Sequence, residues 1–244
     1  MIPRLVLLTD RSQLRLGRGL VRTVRECADA GLGAVVVREH DLEPGQRHAL
    51  VAALAAIGGL TVISSRIPDD SAQGLHLAAH QHPPVDGSWG RSCHSRGDVA
   101  RAAEQGASWV TLSPYAVSAS KPGHGPALPR RDFAGHPLPV LALAGVDATN
   151  AADAVAAGAH GVAVMGAVMR AEDPATVISH LDVRPDDHVG PLIDRRTSRK
   201  TGAPKKAVTT PIGSSAGATR VRAAMSASIK NDAPKSRDSG TITR

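Results

Sequence analysis

The sequence predicts an α/β fold: a small (β/α)8 TIM barrel over residues 1–183, followed by a disordered basic tail over 184–244. Three observations lead there. Short apolar runs recur along the first part of the chain, each too short for a helix core and bounded by glycine or polar residues, as buried strands are. Helical stretches alternate with those runs, which favours a parallel sheet with helices outside. From Arg184 onward the alternation stops and Gly, Pro, Ser, Thr, Lys and Arg take over. Such a composition buries too little surface to offset its ordering entropy. Eight strand units argue for closure, although barrels usually use ~250 residues and this one must have trimmed helices. The competing architecture is an open doubly wound sheet, which normally carries a Gly-rich fingerprint after its first strand. TDRSQLRLGRG stands there and lacks that spacing.

In chain order, RLVLLT at 4–9 is the first strand and ends in Asp10-Arg11. Residues 16–30 have helical spacing at Leu20, Val24 and Cys27 and close at Gly31. Residues 34–37 form the second strand, which runs into Arg38-Glu39-His40-Asp41. A helix over 43–57 follows, with Leu50, Leu54 and Ile57 on one face, and the third strand, 60–63, ends in Ser64-Ser65-Arg66. Only 67–73 is left for the next helix. The fourth strand is GLHL at 74–77, the weak fifth covers 88–91, a helix spans 98–105, and the sixth strand is 109–112. A Pro/Ser/Gly loop occupies 113–129. PVLALAGVDATNAADAVAAGAHGVAVMGAVM, residues 139–169, is one βαβ unit supplying strands seven and eight, and its strands must be parallel. Its helix, about ten residues long, has Asp147 and Thr149 as candidate N-caps and ends at Gly158. The last helix covers 174–181.

The formal charge of +7 is carried by the tail. Residues 184–244 hold 13 Lys+Arg against 5 Asp+Glu, which leaves 16 against 17 in residues 1–183. The tail has no aromatic residue for base stacking, so no specific nucleic acid partner is expected. Cys27 and Cys93 give neither a disulfide framework nor metal-ligand spacing, and they fit a reducing, cytoplasmic compartment. No apolar run approaches the ~18 residues of a membrane span. The N-terminus holds one basic residue and a short apolar run, so no signal peptide is expected. Self-association into a homo-oligomer stays open.

Polar residues fall at the C-terminal ends of nearly all the strands. These are Asp10 and Arg11, Arg38 and His40, Ser64 and Arg66, His76, Ser92 and His94, and Ser118, Ser120 and Lys121. In a parallel barrel such residues converge on one mouth. That mouth would be rich in cations and hydroxyls and poor in carboxylates, and so suited to a substrate with more than one phosphate. The small residues Ala144-Gly145 and Gly166-Ala167 end strands seven and eight. They let backbone N–H groups approach an anion, and a helix starting near Ala167 would add its positive end. Each residue also has a structural reading. The glycines could serve close helix–strand packing, Arg38 and Lys121 could be surface charges, and His76 could be a hydrogen-bonded core histidine.

The ordered segments LLTD, VVVREH, ISSR, GLHL, GRSCH, SASKPG, PVLALAGV and GAHGVAVMGAV resemble the thiamine phosphate synthase/TenI family from Arg4 to about Leu181. The resemblance implies a (β/α)8 barrel. It also implies a synthase joining hydroxymethylpyrimidine pyrophosphate to thiazole phosphate, with Mg2+-assisted loss of pyrophosphate. By resemblance, Arg38 matches the arginine that contacts pyrophosphate and Ser92 the serine of the G-x-S-x-H segment. Lys121 matches the lysine of the T-x-T-K loop, with Ser118 and Ser120 in place of its threonines. Gly145 matches the glycine that holds the thiazole phosphate.

The departures from the family pattern are specific. Ser64-Ser65 stands where the family has Asn-Asp, and Gln81 stands where it has a second magnesium carboxylate. His40 replaces a lysine, Val36 a glutamine and Gly166 a serine near the thiazole phosphate. The metal ligands are therefore unassigned, with Asp69 or Asp70 as candidate substitutes. The TenI branch, a metal-free thiazole tautomerase, uses a histidine after strand six, and Pro114 occupies that place with His124 nearby. Three readings follow: a transferase of thiamine biosynthesis with Arg38 and Lys121 as its catalytic residues, a tautomerase using His124, His40 or His76 as base, and a non-catalytic thiazole or thiamine phosphate binder.

Overall fold

In the computed structural model the described residues are 1–117, 126–181 and 183. Eight parallel strands close into a barrel in sequence order: β1 Leu5–Leu8, β2 Ala34–Val37, β3 Thr61–Ser65, β4 Gly74–Leu77, β5 Trp89–Cys93, β6 Trp109–Leu112, β7 Val140–Leu143 and β8 Gly161–Val164. Closure is made by β8 pairing with β1, with Val162 opposite Leu5. The helices are α1 Leu20–Asp29, α2 Pro44–Ala55, α3 Arg96–Glu104, α4 Ala151–Ala156, α5 Gly166–Met169 and α6 Pro174–His180.

Strands buried on both faces read as unbroken apolar runs, because helices cover one face and the barrel interior the other. The two faces build two cores. Val6, Val36, Ile63, Trp109, Leu141 and Ala163 point inward and fill the barrel. Leu7, Val35, Val62, Leu112, Ala142 and Val164 point outward against the helices, where they meet Val24, Leu54 and Val99. Aliphatic side chains do most of this filling, and Trp109 is the aromatic inside the barrel. It fits only because Gly90 faces it from β5. A Cβ on Gly90 would lie 2.5 Å from Trp109 Cδ2 and 2.7 Å from Cζ2, inside any tolerable contact.

The helix ends follow from local chemistry. Ser95 accepts a hydrogen bond from Asp98 N and starts α3 two residues before the expected 98. Asp173 caps α6 through Thr176 N, with Pro174 in the first turn. α1 starts at Leu20 rather than 16, because Leu16 and Gly17 both have positive φ. α4 is six residues long and begins after Asn150, while Asp147 instead folds a turn with Thr149. The helix sought over 67–73 is absent, and β3 passes to β4 without one. β5 runs through Ser92 and Cys93, past the expected end at 91. No helix among the described residues is long and apolar enough to cross a membrane. The basic tail, 184–244, lies outside the described residues.

Candidate active site at the C-terminal mouth

Alternation along each strand decides which polar residues reach the interior. On β1 the inward series Val6, Leu8 continues to Asp10, and on β2 the series Ala34, Val36 continues to Arg38. The Arg38 N–H donates to Thr9 Oγ1 at 2.9 Å, and its guanidinium reaches across to the sulfur of Met165 at the end of β8. Asp10 takes hydrogen bonds from Ser12 N and Oγ and from Gln13 Nε2. Burial alone would raise its pKa; those hydrogen bonds and the nearby Arg38 charge outweigh it and hold the carboxyl below its ordinary value. Arg11 ties the first loop to the second. It binds Glu39 through its backbone N and Nη1, and Asp41 bidentately at 2.7 Å. Both carboxylates of the 38–41 segment are thereby bonded to Arg11.

His40, Ser65, Arg66 and His76 form the β2–β4 side. His40 Nε2 lies 3.2 Å from Ser65 Oγ. Burial lowers the His40 pKa, and the charges of Arg66, Arg38 and Arg47 lower it further, so the ring is neutral at neutral pH. Arg66 has φ +64, its N–H donates to His76 O, and its carbonyl accepts from Gln81 Nε2. His76 is fully enclosed. It stacks on Trp109 at 5.0 Å and meets Thr111 Oγ1 at 3.2 Å. Burial pushes its pKa down to about 3, with Arg38 and Arg66 adding to the shift. Of its two readings, the core histidine describes it: it forms the floor of the mouth and is a poor base.

Ser92 completes the β5 wall. It is inward-facing, half-buried and in register with Thr111. Across the mouth, Gly145 has φ +67 after Ala144 at φ +73. A Cβ on Gly145 would stand 2.6 Å from the Ala116 and Val117 carbonyl oxygens, so only glycine lets the 145 backbone lie against the β6–β7 segment. Gly166 and Ala167 open α5, and their N–H groups point out of its first turn. The Arg170 guanidinium folds back over Gly166, where a Cβ would come within 2.6 Å of Arg170 Cζ, and it also bonds Gln13. A larger residue at 166 would make the end of the Arg170 side chain shift from this position.

Some expected residues go elsewhere. Ser64 faces outward, one residue out of phase with Ser65; it accepts from Arg47 Nη2 and donates to the Ile67 carbonyl. Asp69 and Asp70 line an outer cleft of about 270 Å3 with Arg47 and His48, and Asp69 is held by His48 Nδ1 and Ser71 N. They do not join the mouth. Gln81 uses both ends of its amide locally, accepting from Ala78 N and donating to Arg66 O. Cys93 is a buried filler whose thiol burial pushes up to about 12. Ser118, Ser120, Lys121 and His124 lie outside the described residues. Sequence reasoning missed Arg47, which braces the ends of β2 and β3 through Val37 O, Ser64 Oγ and Ser65 O. Its signal was a basic residue in phase with Val51 and Leu54 on the buried face of α2. It also missed Thr111 and Arg170. A second cavity, of about 310 Å3, lies by Pro139, Val140 and His160, at the other end of the strands.

A parallel barrel with arginines, hydroxyls and two glycine-lined strand ends at its C-terminal mouth is the framework of an enzyme acting on phosphorylated small molecules. The chain belongs to the thiamine monophosphate synthase family, whose pattern matches residues 5–168. It is 34% identical over 186 residues to the thiamine-phosphate synthase of Methanoculleus marisnigri, covering 68% of this chain and 87% of that one. It is 30% identical over 182 residues to the thiamine-phosphate synthase of Thiobacillus denitrificans, covering 67% and 86%. Among solved structures, thiamine phosphate pyrophosphorylase from Pyrococcus furiosus superposes with a TM-score of 0.64 at 21% identity, over 73% of this chain and 93% of that one. That superposition supports the fold.

Proposed function

We propose that this protein is a thiamine-phosphate synthase, coupling hydroxymethylpyrimidine pyrophosphate to thiazole phosphate. The observation that carries the reading is the placement of Arg38, inward at the end of β2 and reaching toward Met165 beside the Gly166–Ala167 strand end. In the reaction, the bond between the pyrimidine methylene carbon and the pyrophosphate oxygen breaks, and its electron pair leaves with pyrophosphate. The thiazole nitrogen lone pair then forms the new C–N bond, and the positive charge ends on that nitrogen. Such chemistry needs two substrates held in line and fixed charge where the leaving group gains its own. We assign Arg38 and Lys121 to the pyrophosphate. Ser92, Ser118, Ser120 and His40 contribute hydrogen bonds to it or to the pyrimidine, and Gly145, Gly166 and Ala167 hold the thiazole phosphate.

Thiamine-phosphate synthases generally use Mg2+, and the donors described at this mouth do not fit that ion. Magnesium asks for hard oxygen ligands in octahedral array. Ser65 is a hydroxyl turned to His40, Gln81 has both amide ends occupied, and Asp69 sits in the outer cleft. No cluster of three or more His, Cys, Asp and Glu suited to a metal occurs among the described residues. The tautomerase alternative is weakened by His76, whose pKa of about 3 leaves it little basicity. The deciding experiment supplies both precursors to the purified full chain, with and without Mg2+, and follows thiamine phosphate. Product in either condition is expected; absence of product in both, with thiazole phosphate still binding saturably, would overturn the synthase reading.

A further inference from the structure

We infer that this chain grips the pyrophosphate of its substrate with guanidinium groups, Arg38 at the end of β2 and Arg66 at the end of β3, in place of a divalent cation. The inference rests on the synthase reading of the site and adds how the leaving group is held.

The two positions that lack carboxylates are wired into a different device. Gln81 donates from Nε2 to the Arg66 carbonyl at 3.0 Å and accepts from Ala78 N at 2.8 Å. A carboxylate at 81 has no hydrogen to give Arg66 O and would set two oxygens against it. Glutamine is thus the residue type that holds Arg66 in its left-handed conformation of φ +64, together with the bond from Arg66 N to His76 O at 2.9 Å. Ser65, inward on β3, meets His40 Nε2 at 3.2 Å with a hydroxyl that can donate or accept, whereas an aspartate could pair there only if that nitrogen carried a proton. Both replacements therefore anchor groups around Arg66.

Most other carboxylates near the strand ends are committed, and Asp70 lines the outer cleft. Asp10 accepts three hydrogen bonds from Ser12 and Gln13. Glu39 and Asp41 are bound by Arg11. Asp69 is held by His48 and Ser71. Residues 118–125 contain neither Asp nor Glu. Arg38 and Arg66, by contrast, follow the ends of two paired neighbouring strands, with Val37 opposite Ser64, so both residues stand on the same stretch of the barrel rim. Arg38 faces a thioether sulfur and Arg66 is exposed. Guanidinium groups bind phosphate oxygens in bidentate fashion and keep their charge at any working pH, so two of them supply the charge a divalent ion would bring, without ligands of its own.

The test titrates inorganic pyrophosphate into the full chain by calorimetry, in EDTA and in excess Mg2+, alongside the coupling assay. The inference expects binding in EDTA, a loss of about tenfold or more in Arg66→Gln, and a comparable loss in Gln81→Glu through the misplaced Arg66. Circular dichroism checks that the variants fold, and the wild-type comparison in EDTA stands without them. Mn2+ added alone should keep its free aqueous EPR spectrum with the wild type and be captured by the double variant Ser65→Asp/Gln81→Asp. Pyrophosphate binding only with Mg2+, or stoichiometric capture of Mn2+ by the wild type, overturns the inference; if thiamine phosphate then forms with Mg2+, the synthase reading stands. No pyrophosphate binding and no product in either condition removes both.

Discussion

Gly90→Ala tests how the floor of the mouth is built. A methyl at 90 would be driven into the Trp109 ring, 2.5 Å from Cδ2 and 2.7 Å from Cζ2, where carbon contacts need about 3.5–4.0 Å. The ring must therefore move by about 1 Å or the strands must part. It has little room, because Trp109 is buried and stacked on His76, whose Nε2 meets Thr111. Overpacking a filled core costs about 1–3 kcal/mol. For a barrel of this size each kcal/mol moves Tm by roughly 2–4 °C, so a drop of about 2–12 °C is expected. Thermal unfolding followed by circular dichroism measures it, and Trp fluorescence reports the ring directly, since the chain has only Trp89 and Trp109. Combined with Trp109→Leu, the loss should be smaller than the sum of the two single losses, giving a coupling that separates the clash from a general intolerance of alanine in β5. A Gly90→Ala variant with unchanged Tm and spectrum, or a double variant no better than the sum of its parts, would refute the packing argument.

The pKa of His76, depressed to about 3, makes it an acid-sensitive element. The folded state holds it neutral while the unfolded chain protonates it near 6.5, so its contribution is full above pH 6.5 and lost as pH falls toward 3. Between pH 6.5 and 4.5 this amounts to about 2–3 kcal/mol, and His76→Gln should flatten the Tm–pH curve over that range. Carboxylates with lowered pKa, such as Asp10 and Asp98, act only below their ordinary value of 3.8, so the two effects separate on the pH axis. Lys121→Ala should abolish pyrophosphate release in the coupling assay while thiazole phosphate still binds; wild-type turnover would remove Lys121 from the role proposed for it. We propose 1–183 as the catalytic unit, and truncation after residue 189 is expected to leave turnover and Tm within error of the full chain. A collapse of either would make the tail part of the working enzyme.

The barrel was legible because parallel strands covered on both faces leave continuous apolar runs that no other element of that length explains. The same continuity hid the phase of each strand. AVVV at 34–37 does not reveal which valines face inward, and TVISS does not say which serine does. Ser64 was expected at the mouth for that reason, whereas the register puts Ser65 there and turns Ser64 toward Arg47. Arg47 itself was hidden in a helix, since a lone arginine among apolar positions reads as a solvated stem until its buried contacts are seen. The pairing of Gly90 with Trp109 depends on β5 meeting β6 in one register, which neither segment encodes alone. Arg38, His40, Ser92, Gly145 and Gly166 could be placed at the mouth from sequence because strand ends are the one place where sequence position fixes location in a barrel. The charge relations among Arg38, Arg66 and the two histidines are tertiary and had no linear trace.

The contact between the Arg38 guanidinium and the Met165 sulfur has a consequence for ligand entry. A thioether is a weak acceptor that bears no charge, whereas a carboxylate in its place would form an ion pair that an incoming anion must break. Resting against sulfur, the guanidinium has the charge of Asp10 nearby but no carboxylate bonded to it among the described residues. An arriving phosphate would replace a weak acceptor with charge-assisted bonds. Met165 thus acts as a cradle for a drawn spring-catch: it sets the direction of Arg38 while leaving its charge available.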